Sequence, residues 1–429
     1  MASVIEGEWT HRRGDPGGSR AVAAHIERPR PSLAWTWRPE HGGQVDQVRV
    51  AGKCVLVATL APADPRAPGW EHAVVYALDA RTGTEVARRT LPDPVPVAAM
   101  VVEGGVLHVV ATRRGEPIFW YALSPADLAP RHRRIVALSA RHDDVLEAWA
   151  AADGGLWLEL EATVGDDALG ALAYAFAGDD AGQGTVWRQA ATADDDAPVA
   201  RDACAGGRDL FAPVDGLWSA DPVPPSIARL GPGEREETWA RATVVGPRAQ
   251  IHAMGSGRVV CGVVLAQDPE RADRARVEAF SADRASGAVA WRAHSDRVDV
   301  KPRLGEGARA ACRPNGEVVF QSVAADGTPC TPLLCARPDG KVDTIALGTG
   351  GRYVLDAALG DLVLAHRPRK NGRVEVGGFA IDHEGRLLGR RAALRWTIDA
   401  GDLGGGTTVY AGAGAVVVRG TRGVSAVTL

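Results

Sequence analysis

The residues of this chain best suited to bind a partner are aspartates that recur in short groups. They lie at corresponding places of a repeated pattern, where an outer strand is expected to connect to the next inner strand. The residues concerned are Asp143, Asp144, Asp194, Asp195, Asp196, Asp296, Asp299, Asp399 and Asp402. Such groups could be solvated loop tips, an acidic docking face for a basic segment of a partner protein, or a cation site. A docking face would speed encounter and select partners by charge.

Known catalytic motifs are absent from the sequence. It contains no Gly-x-Ser-x-Gly elbow, no His-Glu-x-x-His pattern and no phosphate-binding loop. The tightest acid–histidine group, Asp382-His383-Glu384, falls in a predicted hairpin turn and is interpreted as plain turn residues. We therefore predict no catalytic, cofactor-binding or metal-binding residues, and no cofactor.

The cysteines do not form a metal-binding or redox motif. No Cys-x-x-Cys pair occurs, and several cysteines stand in apolar strand patterns such as Lys53-Cys54-Val55. Free cysteine in such a pattern behaves as a small hydrophobic residue. Structural thiols are favoured over a disulfide or a metal site. The cysteines are residues 54, 204, 261, 312, 330 and 335.

A repeated phrase organises the whole chain. Its clearest copy, Tyr76-Ala77-Leu78-Asp79-Ala80-Arg81-Thr82-Gly83, is typical of a strand that ends in a tight turn. Weaker copies begin near Tyr121, Tyr174, Glu278 and Phe379. Repeats that are 43 to 54 residues long predict a propeller of four-stranded blades.

An apolar residue, often Trp, follows each turn and marks the repeat. Successive marks are 43 to 54 residues apart, and they are Trp37, Val86, Ile135, Trp187, Trp239, Trp291, Ile345 and Leu388. The residues after Leu388 are enough for three further strands. The alternating segment 33–37 would supply a fourth strand and close the ring. The pattern predicts an all-β fold with an eight-bladed propeller; seven blades is the alternative.

The marking tryptophans have two interpretations. They could be aromatic platforms for a ligand, or they could pack between neighbouring blades at one fixed place per repeat. Recurrence at one position favours packing, since Trp buries a large area and its N–H can bond a carbonyl oxygen. Trp37, Trp187, Trp239 and Trp291 are therefore predicted to be structural.

Composition limits the possible partners. The chain has 429 residues, a net charge of −4 and a pI near 6.3, which argues against broad binding to nucleic acid or to anionic membranes. No apolar stretch is long enough to span a bilayer. The basic run Arg131-His132-Arg133-Arg134 is expected to be a solvated outer strand edge.

The N-terminal segment does not fit the repeat. Residues 1–30 are rich in Gly, Arg and Pro and are predicted to be a disordered or clamped arm, which Trp9 could anchor to the ring or to a partner. Residues 31–429 form the predicted propeller domain. The start of the chain lacks the features of a signal peptide or a lipid-attachment cysteine, so a cytoplasmic location is expected.

The phrase Tyr-Ala-Leu-Asp-Ala-x-Thr-Gly with a following apolar residue resembles the repeat of bacterial PQQ-like (quinoprotein-type) propellers. The resemblance covers nearly the whole chain as architecture, but only the copy at 76–83 is close in sequence. It implies one of two branches: quinone-dependent dehydrogenases, or cofactor-free scaffolds such as the outer-membrane assembly lipoprotein. The chain is more similar to the second branch, because it has no adjacent cysteines and no visible export signal.

Two functions follow as hypotheses. The first is a non-catalytic protein–protein interaction scaffold within a cytoplasmic bacterial complex. The second is a quinoprotein-like or other propeller enzyme that uses residues of the central funnel. A bound chromophore or stoichiometric Ca²⁺ would favour the second.

Overall fold

A computed structural model describes most of the chain. The described residues are 4–5, 8–9, 20–22, 24–25, 30–40, 43–62, 71–113, 116–138, 144–151, 154–164, 167–175, 183–188, 204–206, 209–214, 224–231, 237–246, 249–256, 258–301, 307–313, 316–324, 327–347, 353–369, 372–381 and 391–429. Within these ranges the regular structure is β-strand, and no α-helix occurs. The fold is all-β, as the sequence predicts.

The strands of the first half of the chain form short N-terminal pieces followed by four-stranded antiparallel meanders. The N-terminal strands are β1 (Val4–Ile5), β2 (Ala21–Val22), β3 (Ala24–His25) and β4 (Ser32–Trp37). The meanders are β5 (Gln44–Ala51), β6 (Cys54–Pro62), β7 (Glu71–Asp79), β8 (Glu85–Thr90); β9 (Val97–Glu103), β10 (Val106–Ala111), β11 (Ile118–Leu123), β12 (Pro130–Leu138); and β13 (Asp144–Ala150), β14 (Leu156–Val164), β15 (Asp167–Ala175), β16 (Gln183–Arg188).

The second half repeats the same arrangement, and in each half the fourth strands of two neighbouring meanders pair in parallel, β12 with β16 and β28 with β32. Its strands are β17 (Cys204–Gly206), β18 (Asp209–Val214), β19 (Ser226–Leu230), β20 (Glu237–Arg241); β21 (Gln250–Ser256), β22 (Val259–Gln267), β23 (Arg274–Asp283), β24 (Val289–Asp299); β25 (Gly307–Cys312), β26 (Val318–Val323), β27 (Leu333–Ala336), β28 (Val342–Leu347); β29 (Val354–Leu359), β30 (Leu362–Pro368), β31 (Arg373–Ala380), β32 (Arg391–Asp402); and β33 (Thr408–Gly412), β34 (Ala415–Gly420), β35 (Gly423–Thr428).

The first strand of each meander contacts the first strand of the next. This holds along the chain from β5 and β9 to β29 and β33, and β33 also contacts β5. Between the meanders lie apolar clusters of Val, Leu, Ala and aromatic side chains. Because each sheet has two apolar faces, it becomes stable only with a neighbour on either side.

The N-terminal strand β4 is paired with the C-terminal strand β35. The two strands are antiparallel, with Trp37 opposite Val424 and Trp35 opposite Ala426. The sheet that begins with β33 thus takes its fourth strand from the other end of the chain. The sequence prediction for segment 33–37 anticipated this pairing.

Tryptophan docking joins neighbouring sheets at the repeated turn. The Trp35 indole N–H donates a hydrogen bond to the Ala80 carbonyl oxygen, at 2.9 Å. Gly83 has a φ of 72° and sits under the ring; a Cβ there would lie 2.6 Å from the Trp35 side chain. Trp239 makes the same contact with the turn of the next sheet, where its N–H bonds the Arg284 oxygen at 3.2 Å.

The turn that receives each tryptophan is held by an aspartate. The Asp79 carboxylate accepts hydrogen bonds from the backbone N–H of Arg81 and Thr82, at 3.0 and 2.8 Å, and Asp283 makes the same bonds to Ala285 and Ser286. Hydrogen bonds from Thr82 keep the pKa of Asp79 below its usual value. The repeated phrase is therefore a docking turn for the preceding sheet.

The docking tryptophan of β4 is Trp35, which carried no mark in the sequence analysis; the marked residue on this strand was Trp37. Trp37 is half-buried and packs against Tyr76, with 4.9 Å between ring centroids. Trp291 is half-buried on β24, and for Trp187 only the backbone position on β16 is described.

Replacing the docking indole tests its contribution to stability. Trp35→Ala is expected to lower the free energy of unfolding by about 3–5 kcal/mol, because it removes a buried ring and leaves a cavity over Gly83. The matched control is Leu33→Ala on the same strand, where the side chain is 44% exposed; its cost is expected to be below about 1 kcal/mol. Denaturant unfolding measures both, and equal losses would contradict the docking role.

Candidate functional site

The structure describes only part of the predicted acidic face. Asp143, Asp194, Asp195 and Asp196 lie outside the described residues, and Asp144 is described only as a backbone position at the start of β13. Asp296 and Asp299 lie within β24, and Asp399 and Asp402 lie within β32. The structure places these four residues near strand ends and not in connecting loops, which corrects the predicted location.

Most of the described aspartates are paired with arginines. Asp299 lies 3.1 Å from the Arg274 guanidinium, and Asp399 lies 2.6 Å from that of Arg373. Asp402 pairs with Arg422. Arg274 and Arg373 lie on the neighbouring strand of the same sheet, whereas Arg422 lies in the β34–β35 turn of the next sheet. At these positions the negative charge that the docking hypothesis needs is largely balanced.

The arginines come partly from a basic segment that the sequence analysis did not single out. Residues 366–373 read His-Arg-Pro-Arg-Lys-Asn-Gly-Arg; the first three end β30 and the last begins β31. Arg367 and Arg369 both bond the Glu375 carboxylate, and Arg373 bonds Asp399. Counting the charges in this one segment would have revealed it, because it is at least as basic as the run at 131–134.

A buried charged cluster lies where the β25–β28 sheet meets the β29–β32 sheet. The Asp356 carboxylate is fully buried; one oxygen lies 2.7 Å from the Arg309 guanidinium and the other 2.6 Å from His366 Nδ1. Gln321 from β26 accepts a hydrogen bond from the Leu355 N–H at 2.9 Å. These bonds fix the two sheets to each other and orient the His366 ring.

A second charged network surrounds the hydroxyl of Tyr353, the residue just before β29. Tyr353 donates to the Glu375 carboxylate, which also accepts from Arg367 and Arg369. Burial alone would raise the pKa of Glu375, but these three hydrogen bonds outweigh it and lower the pKa to about 2. Burial and the same carboxylate raise the pKa of Tyr353 to about 12. The carboxylate is held ionised and the phenol neutral.

Similar polar contacts join other sheets. Arg49 of β5 donates to the Met100 carbonyl oxygen of β9 at 2.7 Å. The buried Glu278 carboxylate of β23 accepts from the backbone N–H of Thr243 and Val244, at 2.6 and 2.8 Å, and pairs with Arg292. Within the described part of the chain, charged groups between sheets serve mainly to connect sheets.

The exposed large apolar side chains among the described residues share one location. Each lies on the fourth strand of a sheet: Leu33 on β4, Val86 on β8, Ile135 on β12, Val289 on β24 and Leu394 on β32. Val86 is 55% exposed and Ile135 is 48% exposed, although both were repeat marks. Exposed apolar groups at corresponding places are candidates for contact with another protein.

Three of these residues stand on consecutive outer strands. Trp35 of β4 docks on the turn before β8, and Arg89 of β8 donates to the Leu128 carbonyl oxygen just before β12, at 3.4 Å. We call Leu33, Val86 and Ile135 the outer apolar set.

A cavity of 650 Å³ opens beside the N-terminal arm. Its walls include Glu8 from the arm, Lys53 and Cys54 from the β5–β6 turn, and Glu103 from the β9–β10 turn. Burial, and then the charge of Glu8, raise the pKa of Glu103. The two carboxylates make part of the cavity lining acidic.

No three His, Cys, Asp or Glu side chains of the described residues are arranged to hold a metal ion. Among the same residues, no helix has the length and apolarity to cross a membrane.

Comparison with known proteins identifies the fold. No protein-family model matches the chain, and no curated protein matches it in sequence. Among solved structures, the quinohemoprotein alcohol dehydrogenase of Comamonas testosteroni is similar, with a TM-score of 0.53 at 11% identity over 98% of this chain and 80% of the other. A europium-containing methanol dehydrogenase gives a TM-score of 0.54 at 10% identity, covering 98% of both chains.

BamB of Moraxella catarrhalis is a third similar structure, with a TM-score of 0.49 at 12% identity over 93% of this chain and all of the other. At these identities the comparisons concern the fold alone. The chain has the fold of a PQQ-like β-propeller.

The Asp356 cluster generates a stability prediction. Asp356→Asn is expected to cost about 3 kcal/mol of unfolding free energy, because Arg309 then keeps its charge at the sheet junction without a carboxylate. Asp296→Asn is the matched control, since Asp296 is exposed; its effect is expected within about 0.5 kcal/mol. Urea unfolding at neutral pH measures both. Similar losses for the two variants would rule out a special role for the cluster.

Glu375 generates a pH prediction. Its pKa in the folded protein, about 2, is below the ordinary 4.5, so it stabilises the fold above pH 4.5 and loses this effect as the pH falls towards 2. The contribution at neutral pH is roughly 3 kcal/mol. Glu375→Gln should flatten the decline in unfolding free energy below pH 4.5. Glu270→Gln, an exposed control, should not, and identical pH profiles for the two variants would contradict the assignment.

Proposed function

We propose that the chain is a non-catalytic interaction scaffold, built as a closed eight-bladed PQQ-like propeller that belongs with the cofactor-free members of that fold. The ring is supported by the contacts of successive first strands, including β33 with β5, and by the β4–β35 pairing. In this arrangement the first strands surround a central channel, and the fourth strands form the outer wall.

The observation that carries the proposal is the location of the exposed apolar side chains. They lie on outer strands, where a monomer gains nothing from them, and the outer apolar set occupies three consecutive blades. A rigid ring that presents apolar groups on its rim suits contact with another protein. We place the protein in a cytoplasmic multiprotein complex of a bacterium, with one or more protein partners and no nucleic acid.

The acidic face remains a second part of the proposal. If Asp143, Asp144 and residues 194–196 face the same side as Asp296, they would attract a basic segment of the partner. Asp299, Asp399 and Asp402 would contribute less, because arginines balance their charge. Asn replacement at 194–196 should weaken the partner's binding at low salt, and unchanged affinity would exclude this part.

The outer apolar set provides the test of the scaffold. The native protein is recovered from its own lysate under gentle salt, and co-eluting proteins are quantified by mass spectrometry. The variant Leu33→Ser, Val86→Ser, Ile135→Ser should lose a stoichiometric partner by at least about tenfold, because apolar contact area is removed. Val289→Ser, Leu394→Ser is the matched control on other blades. Equal recovery with all three proteins would contradict docking at this set.

A second candidate function is a propeller enzyme. The Asp356–His366 pair beside Arg309 favours it, since an oriented histidine next to a fixed cation is suited to proton transfer near an anion. The absorbance spectrum and metal content of the purified protein test this candidate. A bound chromophore or stoichiometric Ca²⁺ would support the enzyme, and a colourless, metal-free protein that binds its partner would support the scaffold.

A further inference from the structure

The N-terminal arm is bonded to the first strands of two sheets that are not adjacent to each other. At one end, Trp9 and Val50 of β5 exchange two backbone hydrogen bonds, each 2.8 Å long. At the other end, β2 lies parallel to β29, with Ala21 opposite Ala358 and Val22 opposite Leu359. Strands β1 and β3, which flank these contacts in the sequence, pair with each other. The arm therefore adds strand β2 to the edge of β29 and a single backbone bridge to the edge of β5.

Side chains of the arm fill an apolar site as well. Trp9 is 1% exposed and meets the Tyr410 ring edge-on, with 5.6 Å between centroids. Ile5 and Val22 are buried in the same cluster, beside residues of β5, β29 and β33. An aromatic anchor in a pocket together with strand addition is a recurring way to bind an extended peptide.

The surface that contacts the N-terminal arm allows the arm backbone to approach very closely. The Gly360 N–H donates to the Val22 oxygen at 3.0 Å, and the Ala358 N–H donates to the Arg20 oxygen at 2.8 Å. A Cβ at Gly360 would lie 2.3 Å from the Ala24 oxygen. The Gly52 N–H donates to the Glu8 carboxylate at 2.6 Å. We call Val50, Gly52, Ala358, Gly360 and Tyr410 the arm seat.

We propose that the arm seat is a binding site for one extended peptide segment with an aromatic anchor and small apolar residues, and that the described arm residues (4–5, 8–9, 20–22 and 24–25) belong to its resident, displaceable ligand. The seat supplies backbone donors and acceptors and an aromatic wall, and Gly360 has no side chain that would block the approach of a backbone. Together these features select an extended chain and exclude a helix. An added segment of a partner protein with this chemistry would compete with the arm. This deepens the proposed scaffold function and rests on it only for the existence of a partner.

Binding in trans tests the seat without any partner. A fluorescently labelled peptide with the sequence of residues 4–25 is titrated into the full-length protein and into full-length Trp9→Ser, and fluorescence anisotropy is measured. The Trp9→Ser protein should bind the peptide at least tenfold more tightly than the wild type, because its own arm has lost its anchor. A peptide that itself carries Trp9→Ser should bind at least tenfold more weakly. Equal binding of the two peptides would overturn the proposal.

A second variant keeps the test valid if Trp9→Ser does not fold. Gly360→Ala places a methyl group against the arm, and Gly104→Ala is its matched control. Gly104 has a φ of 56° against 54° for Gly360, and a Cβ at Gly104 would meet no atom within 4 Å. Trypsin cleavage after Arg20 is then followed by mass spectrometry. We expect cleavage of Gly360→Ala at least tenfold faster than cleavage of Gly104→Ala.

Equal cleavage rates for the two glycine variants would overturn the proposal, because the arm would not depend on the seat. This outcome is distinct from failure of the scaffold function, which is judged by loss of a partner from the outer apolar set. A scaffold could survive without a peptide site at the arm seat. The peptide site could also exist in a protein whose main function is catalysis.

Discussion

The structure depends on the junction between neighbouring sheets. A four-stranded meander with two apolar faces cannot be stable alone, so each junction must bury one face and also satisfy the polar groups at its border. The chain does this with three kinds of contact, of which one is the parallel pairing of outer strands, β12 with β16 and β28 with β32. Docking tryptophans fix the outer border, as Trp35 does over Gly83. Charged or polar side chains fix the inner border, as Arg49 and Arg309 do. Charged side chains at the junctions thus align neighbouring sheets more than they present charge to the solvent.

The arm strengthens the part of the fold where the two ends of the chain meet. The sheet that contains β4 is held together by β4–β35 backbone bonds and has no covalent link between those two strands. The arm contacts β5 on one side of this sheet, β29 on the other, and Tyr410 within it. Binding at the arm seat would therefore act on the stability of the same region. A partner segment that replaced the arm would have to supply equivalent bonds.

Much of the fold could be predicted from the sequence because it is encoded locally. The phrase at 76–83 specifies a strand, an aspartate-held turn and a glycine with positive φ, and these features lie within eight residues. The choice between Trp35 and Trp37 could not be made in this way. Both lie on the same side of β4, and only the position of the neighbouring sheet determines which indole meets the Ala80 carbonyl oxygen. The repeat marks Val86 and Ile135 were also ambiguous, since an apolar residue on a fourth strand can face solvent.

The candidate sites were less predictable because their members come from distant parts of the chain. The residues next to Asp399 in the sequence suggest a docking residue, whereas its ion-pair partner Arg373 lies on the neighbouring strand. Nothing in the sequence indicates that Asp356 and His366 form a pair, because each of them alone resembles any other strand residue. The buried charged cluster is recognisable only when the adjacent sheet contributes Arg309. The arm was recognised only as a segment outside the repeat. Its backbone bonds to Val50 and Ala358 depend on free strand edges, and an edge becomes visible only when the sheets are assembled. For a repeat protein of this kind, the segments that break the repeat are consequently the first places to look for specific binding.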